Sequence, residues 1–240
     1  SIPKIKPATL NDKYSYWTIK EDLRGNIWVG ACQGGVFIFD KNRNLIRHLM
    51  QQPDKSNSLT SNCVRDIMVD KNNRIYIASA SGLVWYDYAN DRYHAVRTDS
   101  GADVLNISHM CRTASNRILI ATETGGIYEI KRGRNSAQVI ELYPAEKGRF
   151  QTIFEGLDGS LYSVRNSEKI CVFQLDNLGL HLRDSLPIGG LVNGFYENST
   201  GKLLYFATSN GIVRIGKSKG SKPVYVTNQN GLPGNYIAGL

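Results

Sequence analysis

Apolar residues in this chain fall in short runs rich in Val, Ile and Tyr, and clusters of Gly, Asn, Asp and Ser separate the runs. Short β-branched and aromatic runs bounded by turn-forming residues predict strands joined by tight hairpins. No segment longer than ten residues carries the 3.6-residue apolar period of a helix, so helix content near zero is expected. The stretch from Val64 to Arg97 shows one unit. VRDIMV (Val64–Val69) predicts a first strand, DKNN a polar turn, and RIYIAS (Arg74–Ser79) a second strand. A Ser-Gly turn then leads to LVWYD (Leu83–Asp87), and YHAVR (Tyr93–Arg97) closes the unit.

The unit recurs. GNIWVGACQGGVFIFD (Gly25–Asp40) is followed by NRIYIASASGLVWYD, NRILIATETGGIYEI and GKLLYFATSNGIVRI. The marker residue of the second strand is Trp28, Tyr76, Leu119, Tyr162 and Tyr205, at spacings of 48, 43, 43 and 43. A turn glycine follows at Gly35, Gly82, Gly126 and Gly211, but Lys169 stands at that place in the fourth unit, so a different turn is expected there. Asn210-Gly211 reads as a type I′ hairpin pair, and Gly34-Gly35 and Gly125-Gly126 can serve the same end. Four antiparallel strands repeated at this period predict an all-β fold, a β-propeller. Stacking lets each blade cover its neighbour's apolar face. The second and third strands accordingly read as near-continuous apolar runs. A β-sandwich gives no reason for the period.

The expected organisation is a single propeller segment of about five complete four-stranded blades, over roughly 14–50, 62–98, 105–143, 149–186 and 191–227. SIPKI, ahead of the first unit, fits an outer fourth strand. NGLPGNYIAGL (Asn230–Leu240) matches NSLTSNCVRDI (Asn57–Ile67), which opens the second unit. End strands over 1–10 and 235–240 are therefore expected to belong to incomplete blades, and the chain reads as an excerpt of a larger propeller.

Composition changes this picture little. The 240 residues are 41% hydrophobic and 21% charged, as in ordinary globular domains. No apolar run reaches the eighteen residues of a membrane span, and Ser1–Leu10 lacks a signal-peptide pattern. A net charge of +8 could suit a polyanion. The Lys and Arg are scattered, however, and KRGR (Lys131–Arg134) and KSKGSK (Lys217–Lys222) are expected as solvated outer turns, so no nucleic-acid partner is expected. Cys32, Cys63, Cys111 and Cys171 form no CxxC pair. They read as buried or half-buried free thiols rather than a zinc or redox motif.

No GxSxG, HExxH, P-loop or calcium-loop motif occurs, so no catalytic residue, metal or cofactor is expected, and the segment reads as not an enzyme. His48, His94 and His181 fall in or near outer fourth strands; only His109 falls on a first strand. Asp22 and Asp70 are expected to cap the turn between first and second strands. Aligning the first strands leaves two apolar columns, Val64/Tyr16/Ile107/Phe150/Val192 and Ile67/Ile19/Met110/Ile153/Phe195. Between them, the Arg65 column holds Trp17, Ser108, Gln151, Asn193 and Ala238, and the Asp66 column holds Thr18, His109, Thr152, Gly194 and Gly239. Columns that must pack stay apolar; these two vary, which suits either a wet channel wall or a ligand contact. Sugar sites combine aromatic faces with planar polar groups, so Trp17, Arg65, Gln151, Asn193 and His109 are the candidate ligand contacts.

The repeat, xxxVRDIxxDxxxRIYIxTxxGLxxYD preceded by NSLTSN or NGLPGN, resembles the two-component regulator propeller repeat. The resemblance covers nearly the whole chain and is strongest over Glu21–Asp40, Asn57–Asp87 and Asn230–Leu240. The fourth unit, FQTIFEGLDGSLYSVRNSEKICVF, departs most. It loses the turn glycine and the acidic residue that Asp22 and Asp70 supply in the first two units; the third, fourth and fifth units carry Thr113, Gly156 and Asn198 at that position. The resemblance implies the periplasmic sensor region of a hybrid two-component histidine kinase of gut Bacteroidetes. Such regions are similar to two seven-bladed propellers followed by a small β-sandwich domain, a membrane helix and a kinase. It further implies a glycan-derived oligosaccharide as ligand, which the basic balance inclines toward an anionic one. The implied partners are the other propeller and sandwich domains of the same chain, and a homodimer of the full-length protein. Two other readings stay open: a propeller scaffold that binds proteins, and a propeller glycan lyase or hydrolase, for which the residues offer only His109 and scattered carboxylates.

Overall fold

The computed structural model describes residues 13–55, 57–133, 136–218 and 220–237. The expected strand over 1–10, Arg134 of the first basic run, and Ala238 and Gly239 of the aligned columns lie outside the described residues. Each repeat is a four-stranded meander. The first comprises β1 (Ser15–Glu21), β2 (Ile27–Cys32), β3 (Gly35–Phe39) and β4 (Leu45–Leu49). The second comprises β5 (Val64–Val69), β6 (Ile75–Ser79), β7 (Gly82–Asp87) and β8 (Arg92–Thr98). The third comprises β9 (Ile107–Arg112), β10 (Ile118–Thr122), β11 (Ile127–Arg132) and β12 (Ala137–Tyr143). The fourth comprises β13 (Phe150–Glu155), β14 (Leu161–Arg165), β15 (Lys169–Leu175) and β16 (Leu180–Pro187). The fifth comprises β17 (Val192–Glu197), β18 (Leu203–Thr208), β19 (Gly211–Gly216) and β20 (Val224–Val226). Helix among the described residues is confined to two single 3₁₀ turns, Ala145–Lys147 and Asn228–Asn230, and no helix is long and apolar enough to cross a membrane. Residues 235–237 form no strand, although Ile237 N–H donates to the Thr208 carbonyl at 3.0 Å.

The chain divides into two compact units. One takes in the chain up to Thr124 together with Tyr128–Glu141; the other takes in Gly125–Ile127 together with the chain from Leu142.

In the first unit the strand pleat explains the continuous apolar runs. Successive side chains of β6 point to opposite faces. Ile75 and Ile77 pack with Trp28, Val36, Ile38 and Tyr86 on one side. Tyr76 and Ala78 pack with Ile107, Met110, Ile118 and Ile120 on the other. Each such buried side chain contributes about 1.5–3 kcal/mol relative to exposure. The strand alternation expected of a one-sided sheet is therefore absent, because both faces are covered. A feature that was not foreseen joins the second and third blades: β8 and β12 pair in parallel, Arg97 opposite Gln138 and Thr98 opposite Val139. In the second unit Tyr162, Val164 and Ile170 pack with Leu204, Phe206, Val213 and Ile215. Tyr143, Phe150 and Phe173 form an edge-on aromatic trio with centroids 5.0–6.1 Å apart.

The first turn of each blade is held by a side-chain acceptor. Asp22 accepts from the Arg24 and Asn26 N–H groups at 2.8 and 3.0 Å, from Asn26 Nδ2 at 2.9 Å and from Trp28 Nε1 at 3.0 Å. Burial pushes its carboxyl up, but these donors outweigh burial and hold it below the ordinary range. Asp70 accepts from the Asn72 and Arg74 N–H groups at 2.8 and 2.9 Å, as the turn-capping reading expects. Thr113 and Asn198 do the same work with a hydroxyl and an amide, accepting from Arg117 and Lys202 N–H at 3.0 Å. Gly156 has no side chain, and the next blade supplies one. Glu197 Oε2 accepts the Leu157 N–H at 2.7 Å, and a Cβ on Gly156 would lie 3.0 Å from both that oxygen and Lys217 Nζ. The Ser160 N–H, which an acid at this place would hold, is taken by Asp158 Oδ1 at 3.0 Å, and the Leu157 contact has a counterpart in the first blade, where Leu23 N–H donates to Asn73 Oδ1 at 2.7 Å.

Two expectations are corrected. Asn210-Gly211 is not a type I′ pair: Thr208 pairs with Gly211, leaving Ser209 and Asn210 as the central residues, and only Gly211 has positive φ (113°). The Thr208 hydroxyl bridges the turn, accepting from Asn210 N–H at 3.0 Å and donating to the Gly211 carbonyl at 2.8 Å, so a right-handed turn suffices. Of Gly34-Gly35 only Gly35 has positive φ, whereas Gly125 and Gly126 both do. The I′ conformation occurs instead in the fourth blade, where Asn166 and Ser167 (φ 54° and 59°) take the glycines' role and Glu168 N–H closes the turn on Arg165 at 3.1 Å. Second, the basic runs are not simply solvated. Lys217 is largely buried and pairs with Glu197 and, at 3.0 Å, with Asp158. Lys131 pairs with Glu129 at 2.8 Å, and Arg132 reaches Asp70 at 3.4 Å.

Candidate functional site

The Arg65 column coincides with a backbone irregularity in every described blade. Tyr16 and Thr18 face Ala31 and Gly30, so Trp17 is an extra residue in β1. Arg65 is the extra residue between Val64 and Asp66, Ser108 between Ile107 and His109, and Asn193 between Val192 and Gly194. In β13 the register skips from Phe150 to Ile153, so Gln151 and Thr152 together occupy the bulge. A β-bulge re-aims the side chain and removes it from the packing pattern, and bulges are over-represented beside active sites. Variation in this column therefore has a physical cause: the bulged residue does not follow the pleat that sends its strand neighbours to alternate faces.

In the first unit two bulge side chains meet a third from a turn. Trp17 is 47% exposed. The Arg65 guanidinium lies 4.8 Å from the Trp17 ring centroid, a cation–π contact. Arg65 also pairs with Glu123 Oε1 at 3.0 Å, from the turn between β10 and β11. A partly exposed pair of this kind contributes about 0–1 kcal/mol, so it is weak enough to be exchanged for a ligand. Arg65 Nε is buried and makes no hydrogen bond among the described residues. The arrangement presents an aromatic face, a planar donor and a carboxylate side by side. Glu123 went unnoticed in the sequence because it is one of many turn carboxylates; its place in a second-to-third-strand turn was the available signal.

In the neighbouring column, Asp66 itself does not line a channel. Asp66 is 4% exposed. It accepts from the Thr18 hydroxyl of the first blade at 3.1 Å, from its own neighbour Ile67 N–H at 2.8 Å, and from Met110 N–H of the third blade at 2.7 Å. It is a latch across three blades. His109 occupies the same column, half-buried opposite Ala121. Ser108 spends its hydroxyl on the Ala121 carbonyl at 3.0 Å.

Gln151 and Asn193 belong to the second unit. Asn193 Nδ2 donates to the Ile237 carbonyl at 2.8 Å, which gives that side chain a structural duty. Gln151 Oε1 and Thr152 Oγ1, both on the β13 bulge, are buried with no partner among the described residues. Buried polar atoms of native proteins nearly always find a partner, so this bulge suits a bound water or a ligand hydroxyl. Among the described residues no group of three or more His, Cys, Asp and Glu is arranged to hold a metal ion.

Repeated four-stranded meanders with inter-blade cores define the fold as β-propeller. No protein-family model and no curated protein sequence matches the chain. Solved structures do. The extracellular domain assigned to hybrid two component system BT4673 of B. thetaiotaomicron matches with TM-score 0.69 at 19% identity, over 90% of this chain and 31% of that one. The corresponding domain of BT3049 of the same organism matches with TM-score 0.64 at 21% identity, over 85% and 28%. Virginiamycin B lyase of Staphylococcus aureus matches with TM-score 0.63 at 13% identity, over 92% and 73%. At these identities the likeness is one of fold. The chain spans about a third of the length of the two sensor-system domains.

Proposed function

We propose that this chain is part of the ligand-sensing extracytoplasmic propeller of a two-component signalling protein, and that its ligand is a glycan-derived oligosaccharide. The observation that carries this reading is the Trp17–Arg65–Glu123 cluster. A pyranose ring offers an apolar C–H face and a fringe of hydroxyls. Trp17 suits the face, and Arg65 and Glu123 suit the hydroxyls. An acidic sugar gains more, because its carboxylate or sulfate takes the Arg65 fork from Glu123. Two supports come from outside the cluster: the repeat residues resemble the two-component regulator propeller, and two fold neighbours are extracellular domains of two-component systems.

In this reading the chain itself performs no catalysis. The ligand favours one arrangement of the sensor region over another, and a histidine kinase elsewhere in a periplasm-facing, dimeric protein reads the shift in population. The test is thermal unfolding of this chain against neutral and acidic oligosaccharides. A true ligand at 100 times its dissociation constant adds about 2.7 kcal/mol of stability. The expected result is a rise in midpoint with a member of the acidic set. Retention of the whole shift in both Trp17→Ala and Arg65→Ala would remove these residues from the site.

A further inference from the structure

Cys32 and Cys63 meet where the first blade passes to the second. Cys32 is the last residue of β2, and Cys63 immediately precedes β5. The two segments pack closely: a Cβ on Gly30, two residues before Cys32 on β2, would lie 2.8 Å from Val64 Cγ1, the neighbour of Cys63, and just past the β2 turn Gly35 N–H donates to the Asn62 carbonyl at 2.9 Å. Cys63 is itself held on both sides. Its N–H donates to Ser61 Oγ at 3.1 Å, and its carbonyl accepts from Ala80 N–H at 3.2 Å. Cys32 and Cys63 lie close enough to interact, and both are half-buried and free. Burial, reinforced by the contact with Cys32, pushes the Cys63 thiol up to about 11, while the neighbouring Arg65 opposes the rise.

We propose that Cys32 and Cys63 form a built disulfide site, which an oxidant of the disulfide class, such as oxidised glutathione, converts into a crosslink between the first and second blades. One protein thiol loses its proton, and its thiolate attacks a glutathione sulfur. A mixed disulfide forms and one glutathione thiolate leaves. The second protein thiolate then attacks the protein sulfur of the mixed disulfide, and the second glutathione leaves. Two protein thiols are oxidised by two electrons, one disulfide is reduced to two thiols, and the two protons pass to the departing glutathiones. The close packing of β2 against the start of β5, and the bonds that hold Cys63, pre-position the partners, so ring closure needs little movement. The crosslink closes a loop containing β3, β4 and the linker after them, which restricts the unfolded chain. Because Cys63 holds its proton at neutral pH, exchange starting there is slow and quickens as pH rises. The site lies beside Arg65, but its formation requires no ligand and stands apart from the oligosaccharide reading.

The test uses the full chain with oxidised glutathione at mildly alkaline pH, thiol counting after unfolding, and peptide mass mapping. The expected result is loss of two of the four thiols, one crosslinked peptide pair containing Cys32 and Cys63, and a higher thermal midpoint that a reductant reverses. Cys32→Ser should keep its three thiols free of any intramolecular crosslink. Retention of all four wild-type thiols, a stable glutathione adduct on Cys63 without crosslink, or a crosslink through Cys111 or Cys171 would each overturn the proposal. The wild-type mapping decides this even if the serine variant folds poorly.

Discussion

Replacement of Glu129 by alanine should destabilise the first unit by about 3–5 kcal/mol, the range for breaking a buried ion pair from one side. The Glu129 side chain is only 4% exposed, on the third strand of the third blade. It takes a two-pronged contact from Arg117, Nε at 3.0 Å and a terminal nitrogen at 2.6 Å, and a third from Lys131 at 2.8 Å. Alanine leaves the Arg117 charge largely buried with its carboxylate gone. Burial pushes the Glu129 carboxyl up, but Arg117 and Lys131 outweigh burial and hold it below the ordinary range. Its stabilising contribution is therefore complete above the unfolded-state value of about 4.3 and is lost as pH falls through the lower folded value. Urea unfolding checks both points. The wild type should lose stability on acidification, whereas Glu129→Ala should start lower at neutral pH and lose less. A neutral-pH difference under 1 kcal/mol would show that the pair contributes little.

The second large effect belongs to Asp66. Asp66→Ala should cost about 2–4 kcal/mol, because hydrogen bonds to a charged group are strong and a buried donor left unpaired adds a further penalty. Met110 N–H lies in a buried part of β9 and has Asp66 Oδ2 as its acceptor at 2.7 Å. Thr18→Val removes the contact from the first blade alone and should cost about 1 kcal/mol. Equal, small effects of both substitutions on the denaturant midpoint would show that Asp66 is not a three-blade latch. The result bears on function, since Asp66 adjoins Arg65 and fixes the strand from which that guanidinium projects.

These two residues also show what could and could not be read from the chain. The blade repeat was legible because β6 and its counterparts bury both faces, which forces apolar residues at every position and writes the period plainly. The turn acids Asp22 and Asp70 were legible because their hydrogen bonds are local, reaching two and four residues along. Asp66 was grouped with variable channel positions because its partners Thr18 and Met110 lie 48 and 44 residues away. Lys217 reads as solvated for the same reason: of the acids that hold it, Glu197 ends β17 and Asp158 lies in the turn after β13, both far along the chain. The Asn210-Gly211 turn was misread because the Thr208 hydroxyl, not the glycine, decides its geometry. Trp17 and Arg65 stand in a variable column, for which the bulge supplies the cause; Glu123 carries only the weaker signal of a second-to-third-strand turn, because it joins them in space alone.

Trp17 also provides the most direct measurement of the site. Of the three tryptophans, Trp28 and Trp85 are buried and Trp17 is exposed, so a ligand seated on the cluster must change the emission of Trp17. A fluorescence titration with uronic-acid and sulfated oligosaccharides, beside neutral ones, should give a saturable change in the wild type. Trp17→Phe should lose the change, and Arg65→Ala should bind an acidic oligosaccharide at least about tenfold more weakly, equivalent to about 1.4 kcal/mol. Binding that leaves wild-type emission untouched, or that survives Arg65→Ala at full affinity, would contradict the assignment of Trp17, Arg65 and Glu123 as the sensing surface.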